Sequence, residues 1–102
     1  MSVTVRIPTI LRTYTGGSGE VVAEPTGADG AADGAGATVA DVLDALEVSY
    51  PGIRARVLDD EGKLRRFVNV YVGDEDVRFL DDLATPTPDG VKVSVIPAVA
   101  GG

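Results

Sequence analysis

The amino-acid sequence predicts an α+β fold, with one main helix packed across a mixed sheet of four to five strands. Three observations predict it. Apolar residues alternate with polar ones near both ends of the chain, at Val3-Val5-Ile7 and at Val91-Val93-Val95. Between them, Val39, Val42, Leu43, Leu46 and Tyr50 recur at helical spacing and make one apolar stripe. Phe67 to Val72 is apolar on both faces, the pattern of a strand inside a sheet.

Taken in order, Val3 to Ile7 is the first strand, read as continuing past a bend at Pro8 to Leu11. Thr15-Gly16-Gly17-Ser18-Gly19 is a flexible turn, and Glu20 to Ala23 returns as a short second strand, closing an N-terminal hairpin. Residues 24–37 are small, turn-forming or acidic throughout. Such a segment buries too little apolar surface to offset its ordering entropy, so a mobile loop is expected. Its Gly34-Ala35-Gly36 lacks the rest of a phosphate-binding fingerprint, and no strong strand precedes it.

Thr38 then reads as a helix N-cap, with Asp41 three residues on completing a capping box. Asp41, Asp44 and Glu47 are expected on the wet face, and Pro51-Gly52 stops the helix. Ile53 to Leu58 reads as a short second helix or a turn. Asp59-Asp60-Glu61-Gly62 and Asp74-Glu75-Asp76 lack the alternating oxygen ligands of a calcium loop, so both are read as solvated turns. Val77 to Phe79 reads as a minor edge strand, Asp89-Gly90 as a hairpin-type turn, and Val91 to Val95 as the last strand, ended by Pro97. No repeats are seen.

A chain of 102 residues is expected to form a single domain, residues 1–102. Its net charge of −7 disfavours nucleic acid and anionic membranes as partners and suits partners with basic faces. Cysteine and histidine are both absent, so the chain lacks a thiol nucleophile, the usual neutral-pH base and the commonest metal ligand. No catalytic residue, bound cofactor or metal site is expected; the chain reads as a carrier, substrate or binding module rather than an enzyme. The N-terminus has no long apolar run, so neither a signal peptide nor an anchor is read there, and a cytoplasmic location is expected.

The chemistry is concentrated at the other end. Pro97-Ala98-Val99-Ala100-Gly101-Gly102 is a run of small residues after a strand, expected to be a flexible tail. The two terminal glycines have no β-carbon and take any backbone angle, which suits threading into a narrow channel with the carboxylate leading.

The order of elements and this tail resemble the β-grasp, ubiquitin-like sulfur carriers of the MoaD and ThiS family. Within that family the likeness is nearest to the CysO group, the actinobacterial carriers for cysteine synthesis. The residues behind it are Val3 to Arg12, the block Gly62 to Val72, the run Asp74 to Phe79 and the ending Ile96 to Gly102. The loop at 24–37 looks longer than is usual in the family. The resemblance implies that Gly102 is adenylated by an E1-like enzyme using ATP, then converted to a thiocarboxylate, with Gly101, Ala100, Val99, Ala98 and Pro97 threading into the partner. It implies two further partners: a pyridoxal-phosphate-dependent cysteine synthase, CysM-like, whose bound aminoacrylate takes the sulfur, and a metallopeptidase that releases cysteine.

In a β-grasp sheet the strand starting near Phe67 runs antiparallel to the last strand. Arg65, Arg66 and Phe67 are therefore expected at the root of the tail, as residues that dock the carrier on an acidic partner face. Three other readings stand beside this one: a carrier for molybdopterin, thiamine or thio-metabolite synthesis, a protein modifier joined through Gly102, and an interaction module with an inert tail.

Overall fold

The computed structural model describes residues 2–24, 37–88 and 90–97. Its centre is a five-stranded sheet in the order β2-β1-β7-β4-β5. The strands are β1 (Val3–Arg6), β2 (Glu20–Ala23), β4 (Val68–Val72), β5 (Glu75–Asp76) and β7 (Lys92–Pro97). β1 and β7 are parallel, and every other pairing is antiparallel, so the sheet is mixed as expected. The main helix, α1 (Val39–Ser49), covers one face. Its Val39, Val42, Leu43 and Leu46 meet Val3, Val5, Val70, Val93 and Val95 of the sheet in one aliphatic core.

Local chemistry explains where α1 begins. The Thr38 hydroxyl accepts the Asp41 N–H and the Asp41 carboxylate accepts the Thr38 N–H at 2.9 Å, the capping box expected from the sequence. At its other end Glu47 does more than face water. Its two carboxylate oxygens accept the Gly52 and Arg54 N–H groups at 2.9 and 3.0 Å. Glu47 thus ties α1 to α2 (Arg54–Val57), the short helix that resolves the reading left open at Ile53 to Leu58. These hydrogen bonds favour the ionised carboxylate and lower the Glu47 pKa.

Four expectations need correction. The first strand does not run on to Leu11; Thr9–Thr15 is a 3₁₀ helix, capped by Gly16 in the left-handed region at φ 67°. Pro8 cannot donate to a ladder, so pairing ends there and the chain coils. The minor edge strand is Glu75–Asp76, and Val77–Phe79 is 3₁₀. Asp76 side-chain Oδ1 accepts the Arg78 N–H and so starts that turn of helix. The turn at Gly90 joins strands of different sheets: β6 (Pro86–Thr87) pairs with β3 (Ala37–Thr38), whereas β7 pairs with β1 and β4. Finally, Pro97 is the last residue of β7, opposite Val68, rather than the first residue of a tail. The reading of residues 25–36 and of Asp89 lies outside the described residues.

The acidic turn at Asp59 is held by its own backbone. Asp59 Oδ1 accepts the Glu61 and Lys63 N–H groups at 2.8 and 3.0 Å, which lowers its pKa. Among the described residues no group of acidic side chains is placed to hold a metal ion.

Candidate functional site

The sequence locates the site at the C-terminus. Ala98, Val99, Ala100, Gly101 and Gly102 lie outside the described residues, so the structure defines the platform from which they leave. That platform is the far end of β7. Lys92, Ser94 and Ile96 face away from the helix while Val93 and Val95 enter the core. β4 pairs with β7 as far as Val68 opposite Pro97, so Arg65, Arg66 and Phe67 lie in the chain just before the residue opposite the last residue of β7. All three are exposed.

Their side chains are not equivalent. Arg65 Nε donates to the Ala55 carbonyl of α2 at 2.9 Å, and the Arg65 N–H donates to the Val57 carbonyl at 3.0 Å, so Arg65 fastens its own segment to α2. Arg78 fastens it from the other side: Nη1 donates to Asn69 Oδ1 at 2.6 Å and Nη2 to the Arg65 carbonyl at 2.8 Å. Arg66 and Phe67 are left facing solvent between these clamps.

On the other flank of β7 the sheet opens. Thr4 donates to the Val91 carbonyl, and β1 and β7 stay paired only to Arg6 opposite Ser94. By the alternation of a parallel ladder the Val95 carbonyl faces residue 8, and Pro8 has no N–H to give it. The strands part, leaving a groove of about 500 Å³ between the Pro8–Arg12 segment and Ser94–Pro97. Arg12 is positioned there by donating Nε to the Ile7 carbonyl at 3.1 Å. The absent side chain of Gly19 makes room for it, since a β-carbon there would sit 3.0 Å from its guanidinium. A second groove, of about 440 Å³ between β2 and α1, lies at the opposite end of the sheet.

Large apolar side chains are exposed around this strand end: Ile10 at 64%, Phe67 at 56% and Ile96 at 45%. Phe79, the residue after Arg78, is 86% exposed, so both phenylalanines of the chain lie outside the core. Reasoning from the sequence missed Arg6, Ile10, Arg12, Arg78, Phe79 and Ile96. One signal was available. Ile96 is apolar at a position whose strand neighbours on the same face are Lys92 and Ser94.

The ThiS family model matches residues 5–102. The chain belongs to the ThiS family. It is 51% identical over 104 residues to the sulfur carrier protein CysO of Mycobacterium tuberculosis, covering 100% of both chains. Its fold is the ubiquitin-like β-grasp: it superposes with a TM-score of 0.82 and 49% identity on a chain in the crystal structure of the Amycolatopsis orientalis BexX/CysO complex, covering 98% of this chain and 99% of that one. It is also 47% identical over 66 residues to small archaeal modifier protein 3 of Haloferax volcanii, which is 65% of this chain and 71% of that protein. The ThiS match runs to Gly102, so the C-terminal residues belong to the part of the chain that defines the family.

Proposed function

We propose that the protein is a sulfur carrier whose Gly102 carboxylate becomes a thiocarboxylate, and that the sulfur serves cysteine synthesis. The observation that carries this reading is the C-terminal strand of a ThiS-family β-grasp domain, leading within five small residues, Ala98 to Gly102, to a terminal carboxylate. The full-length likeness to CysO supports it and favours cysteine as the product.

The chemistry belongs to the partners. The Gly102 carboxylate attacks the α-phosphorus of ATP on an E1-like enzyme, and pyrophosphate leaves. A sulfide-level donor then forms the C–S bond and AMP leaves. A persulfide donor reaches the same product when a thiol reduces the acyl disulfide. The thiocarboxylate sulfur adds to an aminoacrylate held on a pyridoxal-phosphate-dependent synthase. A shift of the acyl group from sulfur to nitrogen leaves a cysteinyl amide, which a metallopeptidase hydrolyses. The carrier supplies the carboxylate, the threading residues 98–102 and a docking surface that includes Arg65, Arg66 and Phe67. Its lack of thiol and imidazole suits such a role, because no internal group competes for the activated acyl carbon.

The test is intact mass after incubation with ATP, an activating enzyme and a sulfur source, followed by a thiol-alkylating reagent. With no cysteine in the chain, one ATP-dependent adduct on the C-terminal peptide identifies the thiocarboxylate. Absence of the adduct, with an enzyme shown to be active on another carrier, overturns the reading. A second reading, a protein modifier joined through Gly102, is favoured by the likeness to small archaeal modifier protein 3. Gly102 recovered in isopeptide bonds to lysine would establish it.

A further inference from the structure

The protein is acidic overall, yet its charges are unevenly placed. Among the described residues two ion pairs form, Lys92 with Glu20 at 3.1 Å and Arg54 with Asp44 at 2.8 Å, the latter without hydrogen-bond geometry. Arg6 stands directly opposite Glu20 in the β1–β2 register, but the Glu20 carboxylate goes to Lys92 instead. Arg6 is left without a carboxylate among the described residues. Arg12 spends its Nε on the Ile7 carbonyl and likewise has no carboxylate partner there. Both guanidiniums border the groove opened by Pro8, with Ile10 and Ile96 exposed along it. A chain with 16 acidic residues and 9 basic ones has carboxylates to spare, so two unpaired arginines in one apolar-walled groove are charges available to another molecule.

We propose that this groove is a recognition site for an acidic, partly apolar segment of the enzymes that take the tail, with partner carboxylates set against Arg6 and Arg12 and aliphatic side chains against Ile10 and Ile96. This inference rests on the carrier reading for the identity of the partner, but the groove's preference stands on geometry and charge alone. Arginine suits such a site because its planar guanidinium meets a carboxylate in a bidentate fork. The position beside Pro97 means that a partner seated in the groove holds the strand end from which residues 98–102 depart. Docking and threading are then coupled, and the charge pairing raises the rate of encounter more than the rate of the chemical step. A second copy of this chain is disfavoured as occupant by the net charge of −7 on each molecule.

Two measurements decide it. In the first, the isotope-labelled protein is titrated with the peptide acetyl-Asp-Leu-Glu-Leu-Asp-amide and followed by amide and arginine Nε–H shifts. Shifts confined to residues 6–12 and 94–97 are expected, lost in high salt and lost in the Arg6→Glu/Arg12→Glu variant. Shifts that are absent, or spread over the whole surface, overturn the proposal, as do the same shifts produced by raising the protein concentration alone. In the second, the double variant is compared with the charge-matched Arg54→Glu/Lys92→Glu in the alkylation assay. The groove variant is expected to raise KM for the activating enzyme about tenfold at low salt, with kcat within about twofold. Equal effects of the two variants overturn the proposal. Failure of the wild type to be loaded would count against the carrier reading alone, because the peptide titration makes no use of Gly102.

Discussion

The two ends of β7 are built on opposite terms. At Lys92 the strand is flanked by β1 and β4 on its two sides, the lysine is paired with Glu20, and Val93 beneath is fully buried. At Pro97 it keeps only β4, the nearby arginines have no carboxylates, and Ile96 stands out of the face. One strand thus begins as a structural element and ends as a presentation device. The difference comes from Pro8, which withholds one ladder donor and so separates β1 from β7 at the point where the tail departs.

The comparison breaks most completely at the tail. Adding a single alanine after Gly102 displaces the reactive carboxylate, so thiocarboxylate loading is expected to fall below detection by intact mass while the melting temperature stays unchanged. At the structural end the effect is large in the opposite quantity. Leu43 is fully buried over the sheet, and Leu43→Ala is expected to cost about 2–5 kcal/mol in urea unfolding. The folded fraction that remains should load normally. Thr38→Ala removes half of the capping box that starts α1 and is expected to cost about 1 kcal/mol, again without changing loading per folded molecule.

Smaller effects sharpen the contrast. Replacing Arg65 and Arg66 together by alanine should slow loading several-fold at low salt, with less effect at high salt. The Arg66 share is expected to show as rate, because its side chain is free. The Arg65 share is expected to appear partly as stability, because its side chain holds Ala55. Acid stability provides the finest test. Glu47 and Asp59 both have folded pKa values below the ordinary 4.5 and 3.8, so the unfolded chain binds protons first as pH falls. Their stabilisation is whole above those values and is lost as pH drops through the lower folded ones. Glu47→Gln should therefore flatten the fall of unfolding free energy below about pH 4.5, with little change in loading at neutral pH.

Much of the architecture was legible because it is periodic. Val3-Val5-Ile7, the α1 stripe and Val91-Val93-Val95 each repeat an apolar residue at the spacing of one face, and Thr38 with Asp41 is a local capping signal of three residues. Phe67 misled at one boundary. It is apolar and adjoins Val68, so it reads as strand, but the clamps from Arg65 to α2 and from Arg78 to the Arg65 carbonyl hold it in the turn before β4. Val77 to Phe79 misled for a similar reason. Its composition suits a strand, but the Asp76 side chain bonds the Arg78 N–H and coils the backbone instead.

By itself the sequence determined the helix, the strands that supply the core, and the Gly-Gly terminus that marks the family, since each depends on residue type at short spacing. It could not determine which charges would be left unpaired. Glu20 lies opposite Arg6 yet bonds Lys92, a choice made across three strands whose adjacency only the folded sheet creates. The groove beside Pro97 likewise arises where β1 leaves β7, and that parallel pairing joins residues nearly the whole chain apart. Local preference reaches a few residues along the chain, whereas the recognition surface was assembled from segments that meet only when the sheet forms.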